Sequence, residues 1–154
     1  MPTLSPRSLL VPLSIGLALA GCAGGVRTTS LSGTSPTPAP DAFECLRNQL
    51  KSVGFAQTSY DTDGLRITAR KFDETVRRPD VTFRRLVDRL EIQVAPGTGE
   101  AVTSIAVDAK TFAEYNTHRG PTEEQEKTSA TARTAAQTLI QKCSQPVDST
   151  SVPG

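Results

Sequence analysis

In three runs between residues 65 and 109 the core-forming side chains recur at every second position, and nothing else in the chain constrains its fold as tightly. Leu65, Ile67 and Ala69 alternate with Arg66, Thr68 and Arg70; Leu90, Ile92 and Val94 alternate with Arg89, Glu91 and Gln93; Thr103, Ile105, Val107 and Ala109 repeat the pattern. Successive side chains of a strand point to opposite faces, so each run predicts a strand with one buried face and one polar face. Turn signals divide the runs. Asp61-Thr62-Asp63-Gly64 closes a short strand from Ala56 to Tyr60, Arg77-Arg78-Pro79-Asp80 precedes a strand from Val81 to Val94, and Pro96-Gly97-Thr98-Gly99 leads into a strand from Ala101 to about Phe112. Phe83 is out of phase with Leu90, Ile92 and Val94, which predicts a bulge or bend near Arg84-Arg85.

On either side the period becomes helical. From Asp41 to about Gly54, Phe43, Leu46, Leu50 and Val53 form one stripe, Asp41 and Glu44 make a variant capping box, and Gly54 suits a left-handed stop. From Thr122 to Gln141 or Cys143, a second capping box (Thr122, Gln125) and an acidic first turn precede the stripe Ala132, Ala135, Leu139 and Cys143. The order helix, four strands, helix predicts an α+β two-layer sandwich, α-β-β-β-β-α. Its sheet is a four-stranded antiparallel meander, with two antiparallel helices on one face.

The 154 residues suit one domain, and 17 Lys+Arg against 16 Asp+Glu give no electrostatic footprint for nucleic acid. Chemistry-bearing patterns are sparse. His118, the only His, sits in a polar loop with no nucleophile or orienting carboxylate arranged beside it, so no catalytic residue is assigned and the chain is not expected to be an enzyme. Asp61-x-Asp63-Gly64 does not continue as a calcium loop, since Arg66 and Phe72 stand where Gly and Glu belong. No metal or cofactor is expected. The one distinctive surface is rich in arginine. Arg66, Arg70 and Arg89 should share the uncovered sheet face, and Arg77, Arg78, Arg84 and Arg85 cluster near one end. These arginines can grip carboxylates or phosphates of an anionic ligand, or they can pair across strands with Glu91 and Asp108.

The N-terminus reads as an address. Arg7 precedes an uncharged apolar run from Leu9 to Ala20, too short for a bilayer core that needs roughly 20 residues. The run ends in Leu19-Ala20-Gly21-Cys22, which resembles the lipobox of bacterial lipoproteins. The resemblance implies that residues 1–21 are a signal peptide and that Cys22 carries a diacylglycerol thioether and further acyl chains such as palmitate. Two or three chains anchor durably. Ala23 in place of Asp favours the outer membrane, facing the periplasm, if the source has two membranes. Cleavage after Ala18-Leu19-Ala20 in an ordinary secreted protein is the alternative. Residues 22–40, rich in Gly, Ser, Thr and Pro, read as the lipidated Cys and a flexible linker, residues 41–143 as the α+β domain, and residues 144–154 as a disordered tail.

With Cys22 committed to lipid, Cys45 and Cys143 remain, and an oxidising compartment makes them a disulfide candidate. Antiparallel helices bring the start of the first beside the end of the last, which places the two thiols together; two buried free thiols are the alternative. Lipidated Cys, short linker and two helices on a four-stranded sheet are broadly similar to small outer-membrane assembly lipoproteins. That similarity implies an anchored scaffold or interaction domain with an envelope protein partner. The rival is an anchored binding module for an anionic envelope ligand.

Overall fold

The four alternating runs pair with one another in chain order, but they do not complete the sheet. The computed structural model describes residues 27–97 and 102–144. Its elements are β1 (Thr28–Ser35), α1 (Ala39–Leu50) extended by a 3-10 turn (Lys51–Val53), β2 (Ala56–Asp61), β3 (Arg66–Asp73), β4 (Phe83–Pro96), β5 (Thr103–Thr117), β6 (Gly120–Glu126) and α2 (Ala130–Cys143). The fold is α+β, with a large antiparallel sheet and two helices. The sheet has six strands rather than four, in the order β1-β5-β4-β3-β2, with β6 also on β5.

The register sorts the side chains as the alternation requires. Ala69 pairs with Leu90 and Leu90 with Ala109; Ile67 pairs with Ile92 and Ile92 with Val107. These residues are buried beneath the helices with Phe43, Leu46 and Leu50 of α1 and Ala132, Ala136 and Leu139 of α2. The register shift of β4 against β5 falls between Phe83 and Arg85, where the phase of the sequence breaks. Gly54 ends the first helical segment at φ +79°, a left-handed conformation that costs glycine little.

The two additional strands overturn two readings of the sequence. The flexible linker assigned to residues 22–40 contains β1, and the folded domain therefore begins well before residue 41. Polar Thr and Ser suit an edge strand that is packed on one side only. Leu31 faces the core, and Gly33 lies so close to α2 that an added Cβ would sit 2.6 Å from Ile140 Cγ2. The second helix does not start at Thr122, because residues 120–126 are β6. β5 runs on past the end of β1, and its remaining edge, from Thr111 to Thr117, finds backbone partners there. Backbone pairing outweighs the helix-start signal, since an unpaired buried ladder costs more than a cap contributes. Gly120, at φ +107°, closes this hairpin behind His118 and Arg119.

α2 instead begins after Ser129, whose Oγ accepts from the Ala132 amide at 2.9 Å. α1 begins two residues earlier than expected: Pro38 is its cap, Pro40 lies in the first turn, and Asp41 is inside the helix rather than capping it. The Asp41–Glu44 capping box is therefore not formed. Cys45 accordingly lies in the middle of α1, not in its first turn. Cys45 meets Cys143 at the end of α2, and Ser52 and Val53, beyond the end of α1, border a groove that reaches back to Ala130 and Thr131 at the beginning of α2, so the helices run antiparallel. The two sulfurs are 2.08 Å apart and the Cα atoms 5.9 Å apart. Residues 1–21, Cys22 and residues 145–154 lie outside the described residues.

Candidate functional site: the arginine face

Opposite the helices, the second set of alternating residues forms a face in two halves. Across β3, β4 and β5, Arg70, Arg89 and Lys110 are register neighbours, as are Phe72, Val87 and Phe112 in the next row. Three cations in one row repel unless countered, and Val87 would be exposed on a bare face. The arginines solve both problems by lying flat. Arg89 stacks over Phe112 with its Cζ 4.3 Å from the ring centroid, and Arg85 over Phe72 at 3.8 Å. Val87 is 0% exposed beneath this layer. Such stacking contributes about 0.5–2 kcal/mol per pair.

The counter-charge comes from β6. Glu123 Oε1 accepts from Arg70 Nη1 at 3.5 Å, and its Oε2 accepts from Arg89 Nη2 at 2.5 Å. The pairs predicted with Glu91 and Asp108 are not the ones formed: Glu91 takes Lys110 at 2.6 Å. Glu114, with only 8% of its side chain exposed, accepts from Arg84 at 2.7 Å and from Arg85 at 3.3 Å; Arg85 also reaches Glu74. The sequence concealed Glu123 because it stood in an apparent helix start. The available signal was the alternation of Pro121, Glu123 and Gln125 after the glycine turn.

Arg66 is separate from this network. It is exposed, and it borders an open depression of about 380 Å³ with Thr68, Glu91, Gln93, Ala106 and Asp108. No salt bridge to Arg66 or Asp108 is formed among the described residues. The depression thus presents one guanidinium beside carboxylates, a mixed surface rather than an anion cradle. Replacing Glu123 should reverse this on the neighbouring half: Glu123→Gln frees Arg70 and Arg89 together. We expect a stability loss of about 1–3 kcal/mol and new retention on a phosphate-bearing resin, measured by urea unfolding and by salt elution. Unchanged elution would show that the freed arginines do not form an anion site.

The other end of the sheet is held by polar anchors of a structural kind. Arg78 is clamped bidentately by Glu126, at 2.5 and 2.7 Å, and lies over Phe83, which packs edge-on to Tyr115. The hydrogen bond from Arg78 and its charge hold the Glu126 carboxyl below its ordinary value of 4.5, against partial desolvation. Buried Asp88 accepts from Thr111 Oγ1 at 2.6 Å and Ser129 Oγ at 2.8 Å, and so fixes the start of α2 to β4 and β5. Because the folded-state value of Glu126 is depressed, its contribution is complete above the ordinary range and is lost as pH falls through the folded value. Thermal midpoints should therefore fall on acidification below about pH 4.5, and Glu126→Gln should flatten that decline; an unaltered profile in the variant would contradict the assignment.

His118 is exposed in the β5–β6 turn. No group of three metal-ligating side chains comes together among the described residues, and no described helix is long and apolar enough to cross a membrane. In comparisons with known proteins, no family model matches the chain and no curated protein matches it in sequence.

Proposed function

We propose that the chain is a bacterial lipoprotein, held in the cell envelope by lipid on Cys22, whose domain acts as a non-enzymatic scaffold or interaction module. The observation that carries this reading is Leu19-Ala20-Gly21-Cys22 at the end of an uncharged run too short to span a bilayer. Ala23 favours the outer membrane where the source has one, with the domain in the periplasm. The domain supports an interaction role through its chemistry. Its arginines serve mainly as packing and as partners to its own carboxylates, which argues for a rigid platform. An anionic ligand on Arg70 and Arg89 would first have to displace Glu123. Binding through Arg66, Arg70 and Arg89 is therefore the weaker reading.

Cys22→Ser tests the anchor. The variant domain should move entirely from the membrane pellet to the soluble fraction, because the acyl chains supply the affinity. Retention in the pellet after a salt wash would defeat the lipid reading.

A further inference from the structure

The existence of β1 alters what a lipid on Cys22 would do to the domain. With residues 28–35 bonded into the sheet, only residues 23–27 lie between Cys22 and β1. Six Cα steps reach about 20 Å when fully stretched. The leash also leaves the domain at a fixed point. Thr28 pairs with Lys110 in the middle of β5, where β1 and β6 meet end to end. Arg27 Nη1 donates to the Gln125 carbonyl at 3.1 Å. Gln125 Nε2 donates to the Arg27 carbonyl at 3.2 Å and to Thr28 Oγ1 at 3.0 Å, and Thr128 Oγ1 donates to the Arg27 carbonyl at 3.0 Å.

We infer that the β1–β6 edge of the sheet faces the bilayer at close range and the β2 edge is held outward, with docked β1 acting as the short leash that sets this orientation. The inference rests on the lipid anchor proposed above. β2 lies at the opposite end of the strand order. Successive strands are about 4.8 Å apart, so the two edges are separated by about 19 Å. Turning β2 toward the headgroups would lift Thr28 by that distance plus the exposed side chains of β2, which exhausts the stretched leash. Adhesion is not needed: Arg27 and Lys127 share this corner with Glu124 and Glu126, so no net charge draws it to lipid, and chain length alone sets the geometry. Gly33 is the control point. A side chain there would collide with Ile140 and with Ser144 Oγ, 2.8 Å from the added Cβ. Undocking β1 would free the chain as far as α1 and lengthen the stretched limit to about 56 Å, enough for either edge to approach the membrane.

The acylated full-length protein in liposomes carrying a headgroup-linked quencher provides the test. The lipid and the disulfide occupy all three native cysteines, so Thr122→Cys on β6 and Ser59→Cys on β2 each offer one site for a fluorophore. Quenching should be several-fold stronger at position 122 than at 59, and Gly33→Val should erase the contrast. A long Gly-Ser insertion after Gly25 should erase it too, which carries the test if Gly33→Val does not fold. Equal quenching at both sites, or stronger quenching at 59, with the native leash would overturn the inference. Failure of the unmodified chain to float with liposomes would instead remove the lipid anchor itself, and the inference with it.

Discussion

Removing the Cys45–Cys143 bridge should cost the domain about 4–5 kcal/mol, a large share of its net stability. The bridge closes a loop with a sequence separation of 98, and a cross-link over a loop near 100 residues restricts the unfolded chain by about 4.7 kcal/mol in the entropy model. Native domains retain only about 5–15 kcal/mol. The geometry imposes no offsetting strain on the backbone, because a Cα separation of 5.9 Å lies within the usual disulfide range. The pair also joins the middle of α1 to the end of α2, the two elements whose contact closes the helical layer. For a domain near 100 residues each kcal/mol shifts the thermal midpoint by about 4–8 °C. The Cys45→Ala/Cys143→Ala double variant, or the native protein in reductant, should therefore melt roughly 20 °C or more below the oxidised form. Thermal unfolding followed by circular dichroism measures the shift, and intact mass should rise by two hydrogens on reduction. A shift of a few degrees, or no mass change, would contradict the bridge.

Truncating Leu46 should be the next most damaging change. Leu46 is fully buried, on the α1 stripe between Phe43 and Leu50 and over the sheet residues of the same core. Its neighbours belong to both layers and are fixed by strand register and by the bridge one residue away, so they cannot collapse freely into the space. Leu46→Ala should then fall in the usual 2–5 kcal/mol range for such cavities. Val81 provides the contrast. It is 97% exposed, and Val81→Ala should stay within about 0.5 kcal/mol. Urea midpoints at constant slope measure both. Equal losses for the two variants would mean that the core does not sit where the alternation places it.

The strands with a buried face were legible because period two survives in Ile67, Ala69, Leu90, Ile92, Val94, Ile105 and Val107, whose burial leaves little freedom of composition. The bulge before Arg85 was legible for the same reason, as a break in that period. β1 was not, because an edge strand made of Thr, Ser and Gly has the composition of a linker, and its one sizeable apolar residue, Leu31, shows no period by itself. β6 was hidden by a competing local signal: Thr122 and Gln125 are spaced as a capping box, and only the unpaired far half of β5 decides against a helix there. The placement of Arg66, Arg70 and Arg89 on one face follows from strand phase. Its electrostatics were not legible, because Glu123 enters from a strand more than 30 residues distant in sequence from Arg89 and no local pattern connects them.

Mass spectrometry of the N-terminal peptide of the mature protein decides whether this domain is carried on lipid at Cys22. The peptide should begin at Cys22 and bear a diacylglycerol thioether with further acyl mass. An unmodified N-terminus, whether at Cys22, at Gly21 or elsewhere, would contradict the lipid anchor.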